Sequence, residues 1–97
     1  MSAYLVFFAT SPVDDALADA ILDRVRSHPD AGWFDDPEAA TAAERTTGGY
    51  VRIEAVEEPR GQALLDLARE LSHTHGIVVE VQWREEVLGH IEAGAWR

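Results

Sequence analysis

Ala3-Tyr4-Leu5-Val6-Phe7-Phe8-Ala9 is apolar at odd and even positions alike, the pattern of a strand buried from both sides or placed centrally in a sheet. Ser11-Pro12-Val13-Asp14 follows at once, offering an N-cap serine, a proline at the first helical position and an acid that can reach back at N3. The period of the sequence therefore changes at this junction from strand to helix. Val13, Leu17, Ala20, Ile21 and Val25 recur at three- and four-residue spacing and predict a helix over Pro12–Ser27 with one apolar stripe. Pro29 closes it, because a proline disfavours helical geometry in the residue before it.

Working outward, the same two periods return once. Val51, Ile53 and Ala55 alternate with Tyr50, Arg52 and Glu54, which predicts a half-buried strand after a Thr46–Gly49 loop. Pro59 opens a second helix, Arg60–His75, whose stripe is Ala63, Leu64, Leu67, Ala68 and Leu71. Gly76 is placed to end it in left-handed geometry. Ile77–Trp83 alternates again, and Val87, Gly89 and Ile91 continue its inner face if Arg84-Glu85-Glu86 turns a hairpin. That turn lacks Asn-Gly chemistry, but Gly89 costs a helix interior about 1 kcal/mol relative to alanine, so the hairpin is preferred to a short helix. Between Pro29 and Gly49 the signal is weaker: a short strand at Gly32–Asp35 and one helical turn after Pro37 are expected. The fold class is then α+β, a single domain over 1–97, read as a ferredoxin-like two-layer sandwich with an antiparallel sheet covered on one face by two helices. That layout serves many unrelated functions and does not name one.

Composition narrows the function more than motifs do. Eighteen acids face eight basic residues, all arginine, for a formal charge of −10, which repels phosphate backbones and anionic lipid. Nucleic acid and membrane are therefore not expected partners, and no run approaches the roughly 20 apolar residues that span a bilayer. The absence of cysteine removes thiolate nucleophiles, disulfides and Cys-containing metal sites. A cytoplasmic location is expected, since Ala3–Ala9 lacks the basic flank and cleavage pattern of a signal peptide. A chain this short buries only about 60–65% of its unfolded surface, so a homodimer is a natural supplement to stability.

The chain carries no constellation that specifies a reaction. Gly48-Gly49 lacks the spacing of a phosphate-binding loop and reads as a turn. His73 and His75 stand two apart, which sends their rings in different directions on a helix, and histidine near a helix C-terminus already suits the dipole. The loop from Asp30 to Glu38 lacks the alternating ligands of a calcium loop. No metal and no cofactor are expected.

Two surfaces are candidates for function. Asp15, Asp19 and Asp23 line one side of the first helix. Trp33 and Phe34 stand beside Asp35 and Asp36, an apolar anchor within an acidic rim. Together they suggest a non-enzymatic acidic module that engages a basic or neutral protein partner, as inhibitors and immunity-type proteins do. The alternative is a small cofactor-free enzyme or ligand-binding dimer that uses the polar sheet face away from the helices, where Tyr50, Arg52, Glu54, Glu80, Gln82, His90 and Glu92 would stand together. There Arg52 would anchor an anion and Glu80 or His90 would move a proton.

Overall fold

A computed structural model describes residues 2–97. The elements run β1 (Ala3–Ala9), α1 (Asp15–Arg26), β2 (Gly32–Phe34), β3 (Gly48–Ile53), α2 (Pro59–His75), β4 (Val79–Trp83), β5 (Glu86–Glu92) and β6 (Ala95–Trp96). The strands form one six-stranded sheet in the order β2-β3-β1-β4-β5-β6, and every neighbouring pair is antiparallel. Among the described residues no helix is long and apolar enough to cross a membrane.

β1 is central, as its sequence requires, but its two faces differ. Leu5, Phe7 and Ala9 are buried in a single hydrophobic cluster with Val51, Ile53, Val79, Val81 and Ile91 of the sheet. Ala18, Ile21 and Val25 of α1 and Leu64, Ala68 and Leu71 of α2 complete that cluster. Tyr4, Val6 and Phe8 point the other way and are exposed or half-buried. Ser72 of α2 is fully buried, with Oγ 2.8 Å from the Ile77 carbonyl oxygen and 3.3 Å from that of Ile91. It also accepts the Gly94 N–H at 3.3 Å, which ties the helix to the last hairpin.

The structure departs from the sequence reading at several places. α1 starts at Asp15, not Pro12, because the Asp14 carboxylate caps it by accepting the Leu17 N–H at 2.8 Å. The Ser11 hydroxyl instead accepts the Val78 N–H at 2.9 Å, and Val13 is drawn into the core with its own N–H donating to the Ala42 carbonyl at 2.9 Å. Gly48 and Gly49 belong to β3 opposite Phe8 and Phe7 and do not form a loop. A Cβ at Gly48 would overlap the Phe7 carbonyl oxygen, so only glycine permits this pairing. In place of a helical turn after Pro37 there are isolated turns, closed by Ala39 N–H to Asp36 O and Glu44 N–H to Thr41 O.

The preferred hairpin forms, with Trp83 paired to Glu86 across Arg84 and Glu85, which are both left-handed at φ 57° and 68°. That is the backbone demanded by a two-residue hairpin turn, usually supplied by Asn-Gly. A bulge at Val81/Gln82 then shifts the register, so Val87 pairs with Gln82 and is exposed instead of joining Gly89 and Ile91 on the inner face. The chain turns once more at Ala93-Gly94 to add β6, a strand too short for periodicity to announce. α2 closes at Gly76 with φ 63° and ψ 33°, the left-handed cap the sequence calls for.

Candidate functional site: the open face of the sheet

The residues proposed from sequence fall on separate surfaces. Asp35 is a structural anchor. Arg45 grips it with two parallel bonds, Nε to Oδ1 at 2.9 Å and Nη2 to Oδ2 at 2.8 Å, and donates to Asp15 Oδ1 at 2.6 Å. The Thr47 hydroxyl adds a bond to Asp35 Oδ1 at 2.6 Å. The Asp35 and Arg45 side chains are 9% and 10% exposed, whereas that of Asp15 is 94% exposed. Hydrogen bonding from Arg45, aided by Thr47 and opposed by burial, holds the Asp35 carboxyl at about 2, below its ordinary 3.8. The same bonds, first from Asp35 and then from Asp15, push the Arg45 guanidinium above its usual value. This fork is what fixes the course of the chain between β2 and β3.

Asp19, Asp23 and Asp36 are exposed. Trp33 and Phe34, adjacent in β2, necessarily point to opposite faces. Trp33 lies across from Gly49 on the helix side of the sheet, half exposed, with the Arg26 guanidinium 4.8 Å from its ring centre. Phe34 pairs with Gly48 on the other side. The two aromatics and the acids beside them thus do not form one anchor within one rim.

On the face turned away from the core, register places the side chains in rows. One row runs Phe34, Gly48, Phe8, Glu80, His90, and the next runs Gly32, Tyr50, Val6, Gln82, Val87. Arg52 pairs with Tyr4 in a third. Glu80 and His90 meet: His90 Nε2 lies 3.1 Å from Glu80 Oε1, and the Gln82 amide donates to Glu80 Oε2 at 2.7 Å. Such a carboxylate–imidazole pair can orient a ring and hold a proton. Arg52 does not join it. Tyr4 and Phe8, its respective marks on β1, are four residues apart, or about 13 Å along a strand.

Arg52 instead ends a groove of about 740 Å³ whose walls include Tyr4, Val6, Phe34, Tyr50 and Gln82. The Tyr4 and Tyr50 rings meet edge to face, with centres 5.5 Å apart and planes at 86°. Tyr50 lies over Gly32, where any Cβ would overlap its ring. The Arg52 guanidinium sits 5.9 Å from the Tyr4 ring centre, and its Nε donates to Ser2 Oγ at 2.9 Å. At the rim stand Arg84 and Glu85 of the left-handed turn, with the Arg84 guanidinium over Trp83 at 5.2 Å.

The sequence reading assembled the polar residues of this face with Tyr50 and missed Tyr4, Val6, Phe8 and Phe34. The signal was present in β1, which is apolar at both parities while its neighbours β3 and β4 alternate. A face that is polar on flanking strands and aromatic on the central one describes a groove. Comparison of the chain with known protein families, with curated proteins and with solved structures returned no match.

Proposed function

We propose that this chain is a small binding domain whose ligand seats on the open face of the sheet, in the groove between Tyr4, Tyr50 and Phe34. The observation that carries the reading is the character of that face. A sheet with one side in water normally gives that side to polar residues. Here Tyr4 and Tyr50 remain 50% and 36% exposed beside Val6, Phe8 and Phe34. A contiguous aromatic surface with a few convergent polar groups is what a ligand site requires.

The architecture is read here as a ferredoxin-like two-layer sandwich. In its favour, the first four strands follow the order β2-β3-β1-β4 and the two helices share one core cluster with the inner sheet residues. β5 and β6 extend the β4 edge.

The acidic-face alternative, a basic protein held by Asp15, Asp19, Asp23, Asp35 and Asp36, has weaker support, because Arg45 already engages Asp15 and Asp35. A screen of small aromatic fragments by saturation-transfer NMR separates the two readings. Fragments should bind wild type and lose their signal in a folded Tyr4→Ala/Tyr50→Ala variant. Equal signals in the two proteins would remove the groove from consideration.

A further inference from the structure

The geometry points to a ligand class for this groove: planar aromatic carboxylates, with the ring laid against Tyr4, Tyr50 and Phe34 and the carboxylate taken by the free fork of Arg52. This inference rests on the sheet-face reading above and sharpens it.

The sign of the ligand follows from Arg52. Of the arginines without a carboxylate partner among the described residues, Arg52 and Arg84 line the groove, and Arg52 is the one that stands over its tyrosine wall. Arg24, Arg45 and Arg97 are ion-paired, to Glu70, to Asp15 and Asp35, and to Glu92. Arg52 has no such pair among the described residues, although Glu54 lies only two positions away. Its Nε is committed to Ser2 and its plane lies over Tyr4. The two terminal nitrogens are left to present the parallel donors that match a carboxylate. Arg84 and Glu85 carry opposite charges at the same rim, so their fields offset one another and Arg52 sets the local sign. The remaining negative charge of the chain does not forbid an anion here, because exposed charges are screened beyond about 8 Å at physiological ionic strength. A cationic ligand is disfavoured for a direct reason. The Arg52 guanidinium, 5.9 Å from the Tyr4 ring centre, would repel a second cation there.

The shape of the ligand follows from the walls. The groove lies on a sheet and its rings remain half exposed, so a compact molecule would bury only a small part of itself. A flat one can lay a whole side against Val6 and one of the two tyrosine rings and meet the other, which stands at 86° to it, edge to face, while its own edge faces the polar end. Gln82, whose amide is shared with Glu80, stands across the groove floor from Tyr50 as a further polar contact.

The test compares matched probes by calorimetry and amide chemical-shift mapping: 2-naphthoate, its neutral carboxamide and cyclohexanecarboxylate. The proposal expects 2-naphthoate to bind at the groove about tenfold or more tighter than either comparator. Arg52→Gln should erase that advantage while leaving carboxamide affinity within about threefold, and Arg52→Lys should restore only part of it, since a charged hydrogen bond is worth about one decade or more in affinity. Arg52 is exposed, and matching melting temperatures would confirm that the variants fold. If naphthoate and carboxamide bind the groove equally, the anion assignment fails and the sheet-face reading stands. If cyclohexanecarboxylate matches naphthoate, the aromatic assignment fails. If none of the probes perturbs Tyr4, Val6, Tyr50 or Gln82, both this inference and the reading beneath it are overturned.

Discussion

Replacing Asp35 by asparagine tests the part of the structure that sequence patterning did not foresee. The amide keeps the shape of the carboxyl and removes its charge. Asp35 accepts two bonds from Arg45 and one from Thr47, with its side chain 9% exposed. A hydrogen bond to a charged group contributes about 1.5–3 kcal/mol, and breaking a fully buried pair costs about 3–5 kcal/mol. Arg45 keeps its bond to exposed Asp15 and Thr47 can still donate, so the lower range applies, and a loss of about 2 kcal/mol is expected near neutrality. For a domain of this length that corresponds to a fall in melting temperature of about 8–16 °C.

The effect also has a defined pH dependence. The folded carboxyl titrates at about 2 against an ordinary 3.8. Its contribution is therefore complete above the unfolded value and is lost as pH falls from about 4 to 2. Thermal melts followed by circular dichroism across that range should show a constant gap between wild type and variant above pH ~5, closing toward pH ~2. A gap below about 0.5 kcal/mol near neutrality, or one that persists unchanged in acid, would refute the assignment of the fork as the anchor of this loop.

Three further outcomes follow from packing and backbone geometry. Gly48→Ala should destabilise by more than about 2 kcal/mol, because the new Cβ meets the Phe7 carbonyl and the β1–β3 pairing must shift; an unchanged urea midpoint would contradict this. Glu85→Gly should stabilise by about 0.5–1 kcal/mol, relieving the left-handed φ of 68° at the cost of some unfolded-state entropy, and a lower melting temperature would count against a two-residue turn there. Ser72→Ala should cost about 1–2 kcal/mol and speed amide exchange at Gly94, whose N–H it leaves without its acceptor; unaltered exchange would mean the hairpin is held otherwise.

Much of the fold was legible because it depends on local period. β1, β3, β4 and both helices follow directly from the spacing of apolar residues, and the Gly76 cap follows from glycine alone. What was not legible depends on groups distant in sequence. Ser11 and Asp14 are both competent N-caps, and only the arrival of Val78 beside Ser11 decides between them. The loop between β2 and β3 has weak periodicity because Arg45 reaches back ten residues to Asp35 and thirty to Asp15 to order it. Gly48 looks like loop sequence until Phe7 is brought against it. Val87 changes face through a bulge that no apolar pattern encodes. For the site, parity correctly grouped Arg52, Tyr50, Glu80, Gln82 and His90 on one face. It did not show that Arg52 and His90 lie at opposite ends, nor that the aromatic residues of β1 lie between them.

The claim that the open sheet face is the binding surface is tested most directly by mapping backbone amide shifts during titration with the tightest fragment from the aromatic screen. Concentration-dependent, saturable shifts should centre on Tyr4, Val6, Tyr50, Arg52 and Gln82, with Asp19 and Asp23 of α1 unmoved. Saturable shifts confined to α1 and the Trp33 edge, with the sheet face silent, would contradict it.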